Sequence, residues 1–362
     1  MKSFFVASTG QNVGKTTICL GLLSALKKQV GKVGFMKPVG QEHVAAHTGV
    51  RVDKDVVLFK EHFKLKDDYK HMSPVLFPAG FTRDYLDGRI DEKELKREIK
   101  MSYEAISTKN DIALVEGTGH VGVGSIINLN NAQVAALLNL PMIIVASGGL
   151  GSTFDQLMLN KTLCDEHGVK ICGIILNRVL PDKREMIEHY MKKALSRWSI
   201  PLLGCIPFDP ILSNPSMQDF EQLFQTTLMT GVDHRMRHFR HTRLVATSIE
   251  TYQSLIVPNQ LVITPADRED IIQATIAKHI DPIEPDFEGG LIITGDRPPR
   301  DYIIEQLKKA DLPMLYTSSH STGVMERILS HTNKILKEDK EKIHEAIELV
   351  ETHVNCAGLA NL

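Results

Sequence analysis

The chain has 362 residues, of which 43% are hydrophobic and 24% are charged, and its formal net charge at pH 7 is −2. This length allows two domains with separate cores, and the composition is that of an ordinary soluble globular protein. The near-neutral charge gives no electrostatic case for binding nucleic acid or an anionic membrane. Because the first apolar run is short and glycine and polar residues follow at once, we expect neither a signal peptide nor a membrane span.

The cysteines predict buried thiols in a reducing compartment. None forms a C-x-x-C pair, and several lie in apolar segments, which argues against a disulfide set or a zinc site. We therefore expect a cytoplasmic protein. The five residues are Cys19, Cys164, Cys172, Cys205 and Cys356.

The first predicted strand, residues 4–7, is followed by the stretch STGQNVGKTT at residues 8–17. This stretch matches G-x-x-x-x-G-K-[ST], in which the loop backbone binds phosphates, the lysine reaches the β- and γ-phosphates, and the hydroxyl binds Mg²⁺. Apolar residues then recur at helical spacing, so the loop opens a helix whose N-terminal end favours anions. The sequence predicts nucleotide binding by Gly10, Gln11, Asn12, Val13, Gly14, Lys15, Thr16 and Thr17.

Short apolar runs continue to alternate with helical stretches as far as residue 210. This alternation predicts an α/β fold, a P-loop NTPase-like parallel sheet with helices on both faces. Polar groups that follow the strands should then gather at the carboxyl edge of the sheet. The predicted strands are Phe4–Ala7, Val33–Lys37, Ile112–Val115, Pro141–Ala146, Ile171–Leu176 and Leu202–Ile206.

Charged residues at two strand ends and one helix start are further candidates for the site. Glu116 ends a strand and precedes Gly117–Gly119, so it either supplies a Mg²⁺ ligand or merely ends the strand. Lys37, before a proline, either faces the γ-phosphate and neutralises charge or is a surface lysine. Asp53 and Asp55 either contribute carboxylates to the site or cap a helix.

The stretch from about 208 to 243 breaks the alternation and predicts a linker, taken as residues 211–243. Pro207, Pro210 and Pro215 mark its start, and it contains a basic run, DHRMRHFRHTR, that is either a solvated linker or a site for an anionic effector or an acidic partner. Residues 244–332 predict a smaller α/β domain with two similar strand–turn–helix stretches. Residues 333–362 predict a terminal amphipathic helix and tail.

Two weaker patterns have not been assigned a role so far. Asp267-Arg268 and Asp296-Arg297 each stand between a strand and a helix, where the aspartate caps the helix or the arginine binds a phosphate. His43 and His47 are four residues apart but lack the H-E-x-x-H pattern, so we expect a solvated segment rather than a metal centre.

Residues 1–210 resemble dethiobiotin synthetase and its relatives. The resemblance implies that Lys15 and Thr16 bind phosphate and Mg²⁺, that Lys37 contacts the γ-phosphate and substrate, and that Asn177 reads the base. It also implies a homodimer. By position, Thr16, Asp55 and Glu116 become the metal ligands, and Lys15, Lys37 and Glu116 the catalytic candidates. The motifs that carry it are the phosphate loop, KPVG at 37–40, VEGTG at 115–119, ILNRV at 175–179 and PLLGCIP at 201–207.

The segment 244–332 resembles the DRTGG domain, and the combination of both domains resembles the amino-terminal region of long bacterial phosphotransacetylases. There the pair precedes the acetyltransferase domain and is thought to regulate it. This sequence stops before such a domain, which removes the direct case for acetyl transfer. Residues 79–86 and 120–128 depart from dethiobiotin synthetase, so its substrate pocket is not carried over.

Two functions follow as hypotheses. The first is a nucleotide-dependent regulator or sensor that binds ATP and Mg²⁺, with a metabolite or partner as its second ligand. The second is an ATP-dependent carboxylate-activating enzyme of the dethiobiotin synthetase type. We also expect a homodimer or higher oligomer, because the second domain has few predicted elements and little interior of its own. The alternative is that the terminal helix covers its exposed face.

Overall fold

The structure is a computed structural model that describes residues 3–46, 49–281, 283 and 287–359. The described residues form two compact units. The first unit contains residues up to Asp209 and those from Ile335 onward, and the second contains Pro210–Lys334. The second unit is therefore an insertion in the sequence of the first.

The first unit is built on a parallel sheet with the strand order β10-β9-β8-β1-β7-β2 among the described residues. Its central strand β1 is covered on both faces, which explains why residues 4–7 are apolar without alternation. The six predicted strands are present, but β7 continues past Glu116 to His120 and β9 continues past Leu176 to Val179, so Glu116 lies within its strand rather than at the strand's end. The strands are β1 (Phe4–Ser8), β2 (Val33–Met36), β3 (Val39–Gly40), β4 (His43–Ala45), β5 (Arg51–Asp53), β6 (Val75–Leu76), β7 (Ile112–His120), β8 (Met142–Ser147), β9 (Ile171–Val179) and β10 (Leu202–Pro207).

The helices of the first unit lie between these strands in the sequence, apart from the last helix, which follows the inserted unit. They are α1 (Lys15–Val30), α2 (Lys54–Phe63), α3 (Tyr69–Met72), α4 (Phe81–Leu86), α5 (Glu92–Ser107), α6 (Asn131–Leu137), α7 (Gly151–Glu166), α8 (Arg184–Leu195) and α15 (Lys340–His353).

The terminal helix α15 packs against α1, the helix that follows the phosphate loop. The two backbones approach closely at Gly21, where an added Cβ would lie 2.2 Å from Cβ of Val350. Glu351 also accepts hydrogen bonds from Ser24 Oγ at 2.8 Å and from Lys28 Nζ at 2.6 Å. The amphipathic helix that the sequence predicts near the C-terminus is therefore present, but it belongs to the first unit.

The second unit contains a five-stranded mixed sheet, with the order β11-β15-β14-β13-β12, in the part of the chain that the structure describes. Strands β12 to β15 are parallel, and β11 pairs antiparallel with β15. The elements are α9 (Pro210–Ser213), α10 (Met217–Phe224), β11 (Leu228–Thr230), β12 (His241–Leu244), α11 (Ile249–Ser254), β13 (Gln260–Pro265), α12 (Glu269–His279), β14 (Gly290–Thr294), α13 (Asp301–Ala310), β15 (Met314–Thr317) and α14 (Ser321–Ser330).

Both faces of the second sheet are covered from within the unit. Alternate residues of β13 enter different clusters: Val262 packs with α11, α12 and α13, whereas Ile263 packs with α10 and α14. The expectation that this unit has little interior of its own is therefore wrong. It rested on two strand–turn–helix stretches and missed the elements that come before them.

Residues 211–243 are not the linker that the prolines and basic run suggested. They form α9, α10, β11 and most of β12, and Phe220 and Phe239 are each 1% exposed in the core of the second unit. In the basic run, Arg235 Nε lies 2.7 Å from Glu221 Oε2 and Arg237 donates to the carbonyl of Gly289. These arginines tie the segment to its own unit.

Neither aspartate of the two Asp-Arg pairs caps a helix. The residue before α12 is Arg268, whose guanidinium bonds to Asp270, and the residue before α13 is Arg300. Of the two spaced histidines, His43 lies in β4, and His47 is outside the described residues. Within the described ranges, no helix is long and apolar enough to cross a membrane.

Candidate functional site

The phosphate loop joins β1 to α1 at the carboxyl edge of the first sheet. Two loop residues have left-handed backbones, Asn12 with φ 57° and Gly14 with φ 99°. Gly14 must also be small, because an added Cβ would lie 2.2 Å from Nδ2 of Asn177. The strand–loop–helix context that the sequence predicted is therefore present, and the loop backbone is set by glycine where a side chain cannot fit.

Lys15 is held at the start of α1 with its ammonium directed at the neighbouring strand ends. Its Nζ donates to Ser8 Oγ at 2.9 Å and to the carbonyl of Gly119 at 2.7 Å. The side chain is buried, and burial lowers the pKa of its ammonium although Glu116 opposes that shift. Both partners are neutral oxygens, so an anion would compete for this ammonium without breaking an ion pair.

The hydroxyl of Thr16 faces two carboxylates from different elements. Thr16 Oγ1 donates to Glu116 Oε1 at 3.0 Å and lies 3.5 Å from Asp55 Oδ2. Glu116 comes from β7, which pairs with β1, and Asp55 comes from the first turn of α2. The structure thus brings together the three residues that the sequence comparison proposed as metal ligands.

Glu116 is 1% exposed, and its Oε2 has no hydrogen-bond partner among the described residues. Burial raises the pKa of this carboxyl to about 7, and the negative charge of Asp55 adds to the shift against the opposing effects of Lys37 and Lys15. A buried carboxylate oxygen without a partner is costly unless a cation or donor satisfies it. A Mg²⁺ ion bound to this oxygen would remove that cost.

Lys37 follows β2 and lies between two carboxylates rather than at the surface. Its Nζ bonds to Asp53 Oδ1 at 2.9 Å and, at short range, to Asp55 Oδ2. Burial lowers the pKa of Lys37, but Asp55 and Asp53 outweigh it and leave that pKa well above its usual value. Lys37 is therefore a fixed positive charge beside the Thr16 and Glu116 oxygens.

Asp53 has two roles in this arrangement. Its Oδ1 also accepts the backbone N–H of Asp55 at 3.0 Å, which caps α2. Its Oδ2 is buried and lacks a hydrogen-bond partner within the described part of the chain. The capping interpretation is correct, and the same carboxylate holds Lys37.

The chemistry of the donor set fits a Mg²⁺-nucleotide. Mg²⁺ takes oxygen ligands and is usually bound by one or two carboxylates together with phosphate oxygens and water. Among the described residues, no group of three or more histidine, cysteine or acidic side chains could hold a metal ion by itself. The Thr16 hydroxyl, the open oxygen of Glu116 and a phosphate bound by the loop would supply the missing ligands.

Asn177, expected to read the nucleotide base, lies behind the phosphate loop. Its Nδ2 donates to the carbonyl of Val13 at 2.9 Å, and its side chain packs on Gly14. The structure therefore gives it a contact that supports the loop, and base recognition stays a prediction. Of the remaining loop residues, Gln11 and Asn12 are exposed and Val13 is buried.

Two supporting residues were missed from the sequence. Ser8 donates to the carbonyl of Gly10 and contacts Lys15, so it fixes both ends of the loop. Asn131, at the start of α6, accepts from Thr118 N–H and donates to the carbonyls of Thr118 and His120. These bonds hold the strand that presents Gly119 to Lys15. Ser8 could have been identified from the sequence as the residue at the end of the first strand, two positions before Gly10 of the motif, but no local pattern marks Asn131.

The parallel sheet, the loop between β1 and α1, and the polar residues at the strand ends define a P-loop NTPase-like α/β domain, followed by a domain with a mixed sheet. The chain belongs to the AAA_26 family, described as an AAA domain, whose family model matches residues 2–216. The DRTGG domain model matches residues 222–331. Both recognitions made from the motifs are confirmed.

Curated relatives match almost the whole chain. The phosphate acetyltransferase of Pseudomonas putida is 29% identical over 99% of this chain and 51% of that protein. The chain thus spans about half the length of the phosphate acetyltransferases it matches. The ATP-dependent dethiobiotin synthetase of Bacillus subtilis subsp. natto is 31% identical over 57% of this chain and 87% of that protein.

Among solved structures, the MinD cell division protein of Aquifex aeolicus is similar at 18% identity, with a TM-score of 0.36. The match covers 59% of this chain and 84% of that one.

Proposed function

We propose that this protein binds ATP with Mg²⁺ at residues 10–17 and acts as a nucleotide-dependent regulator or sensor. The observation that supports the binding half most directly is the convergence of Lys15, Thr16 and Glu116, with one buried Glu116 oxygen lacking a partner among the described residues. In the proposed complex, Lys15 exchanges its neutral contacts with Ser8 and Gly119 for phosphate oxygens.

The residues of the site divide the work between metal and phosphate. Thr16, Glu116 and Asp55 would hold Mg²⁺, which neutralises phosphate charge when bound. Lys37 stays protonated and is fixed by Asp53 and Asp55, so that its ammonium is available to stabilise charge that develops on the γ-phosphate. This arrangement supports binding of a Mg²⁺-nucleotide and is compatible with its hydrolysis.

The regulatory half of the proposal is supported by the domain pair. The similarity to phosphate acetyltransferases extends over the P-loop and DRTGG domains together. In our proposal the second unit binds a metabolite or partner, and the protein works in the cytoplasm, where its five buried cysteines would stay reduced.

Calorimetric titration with ATP and Mg²⁺ tests nucleotide binding. Lys15→Ala removes the ammonium from the phosphates, and we expect its Kd to rise at least about tenfold, the effect of one charge-assisted hydrogen bond. Lys32→Ala is the matched control, because Lys32 is exposed and lies beyond the end of α1. Equal ATP affinity in the wild type and Lys15→Ala would overturn the proposal.

The alternative, a carboxylate-activating enzyme, is favoured by the similarity to dethiobiotin synthetase over the first unit. ATP turnover measured with and without small carboxylates separates the two functions. A regulator should show turnover that does not depend on the carboxylate and should change the activity of an added phosphate acetyltransferase in an ATP-dependent way. Turnover that requires one carboxylate would favour the enzyme instead.

A further inference from the structure

A half-open cavity of about 390 Å³ lies beside the edge strand β10, within the first unit and apart from the residues of the nucleotide site. Its walls come from α8, from β10 and from the end of α15 with the two residues that follow it. This volume is in the range of pockets that bind small molecules. The charged lining residues are Arg184, Glu188, Lys192 and His353.

The third wall of the cavity is built closely onto the sheet edge. Asn355 N–H donates to the carbonyl of Leu203 at 2.8 Å, and Gly204 pairs antiparallel with Val354. An added Cβ at Gly204 would lie 2.6 Å from the carbonyl oxygen of His353. A residue with a side chain at 204 would therefore displace this wall, so the cavity depends on a fitted contact rather than on a loose tail.

Some of the charged side chains that line the cavity are paired with an opposite charge, and others are not. Lys192 Nζ lies 2.6 Å from Glu188 Oε1, so among the described residues that line the cavity the positive charge of Arg184 is left without an ion-pair partner. Arg184 Nε is buried and has no hydrogen-bond partner in the described ranges, although the guanidinium lies beside the Cys205 thiol. Burial lowers the pKa of His353, and Arg184 lowers it further.

We propose that this cavity is a binding site for a small anion that carries a carboxylate or phosphate group. One negative charge would balance Arg184 and accept the Nε–H that lacks a partner, in the planar geometry that guanidinium prefers for such groups. His353 and Lys192 lie in the same lining and would contact the remainder of the ligand. The inference does not depend on whether the phosphate loop binds ATP.

The test uses the full chain carrying Lys15→Ala, so that phosphate probes are not bound by the P-loop lysine. Inorganic phosphate, acetate and acetyl phosphate are titrated separately, and the imidazole signal of His353 is followed by NMR after assignment with His353→Asn. We expect a saturable shift with at least one probe. Comparison of the acetate titration with the phosphate titration shows whether the site recognises the carboxylate or the phosphate group.

Arg184→Gln should weaken that binding at least about tenfold, because it removes the charge and the guanidinium donors. Lys193→Gln removes one positive charge from the same helix at an exposed position outside the cavity and should leave the affinity unchanged. Thermal unfolding checks that both variants are folded. The proposal is overturned if no probe shifts His353, or if Arg184→Gln and Lys193→Gln bind equally well.

Discussion

The raised pKa of Glu116 predicts that Mg²⁺-nucleotide binding releases a proton, and that the release depends on pH. With a pKa of about 7, this carboxyl is largely protonated in the unliganded protein below neutral pH. A metal ligand must be deprotonated, so binding drives the proton off. The expected release from Glu116 is about 0.9 proton at pH 6 and about 0.1 at pH 8.

Calorimetry in buffers with different enthalpies of ionisation measures this release directly. Glu116→Gln should abolish the part that decreases between pH 6 and pH 8, while protons released by the nucleotide itself remain in both proteins. Glu98→Gln, on the exposed face of α5, serves as the control and should behave as the wild type. If wild type and Glu116→Gln release the same number of protons at pH 6, Glu116 is either already ionised or not a metal ligand.

Three further predictions concern turnover, packing and assembly. Lys37→Ala should lower any ATP turnover by about tenfold or more while Kd changes little, because a lysine aimed at the γ-phosphate acts mainly in the transition state; lost binding with full turnover per bound site would contradict this. Gly21→Ala should lower the free energy of unfolding by about 1–3 kcal/mol through the clash with α15. Gly323→Ala, in a helix with open space, should be neutral or stabilising in the same denaturation assay. Sedimentation should show a homodimer or higher oligomer, and deletion of residues 210–334 should preserve it; a full-length monomer at micromolar concentration, with and without MgATP, would refute this.

A deletion within the chain is a cleaner test of assembly than truncation of the chain after residue 209. Truncation would also remove α15, which packs on α1, so a change in assembly could not be assigned to the second unit. The second unit also has buried clusters on both faces of its sheet, which removes the physical reason for placing the oligomer contact there. The resemblance to dethiobiotin synthetase remains as support for assembly through the first unit.

The sequence predicted the first sheet well because its strands are buried on both faces. Such strands are continuous apolar runs, and the polar residue at each end marks the carboxyl edge. The role of Lys37 was harder to predict, because it depends on Asp53, sixteen residues away in the sequence, and on Asp55. Only the folded structure brings both carboxylates to the Lys37 ammonium. Asn131 illustrates the limit: it holds the strand after Glu116 through long-range contacts that no spacing in the sequence reveals.

The error at residues 211–243 had a different cause. Prolines and positive charges indicate a linker, whereas the helical spacing of Phe220 and Phe224 in α10 is typical of a packed helix. Tertiary packing explains the outcome, because Phe220 and Phe239 share a core with Ile263, Ile292 and Leu315, which come from strands further along the chain. The composition of a segment indicates how exposed its residues are on average, whereas a few buried aromatic side chains are enough to hold the segment in a core.

The contact between α1 and α15 also affects how the protein is made. About 310 residues separate the end of α1 from the start of α15, which corresponds to roughly 15–60 s of synthesis at about 5–20 residues per second. During that interval the face of α1 around Gly21 has no partner. The inserted second unit is contiguous in sequence and is complete before α15 leaves the ribosome, so it can fold first. The P-loop unit therefore begins to be translated before the inserted unit and is completed after it.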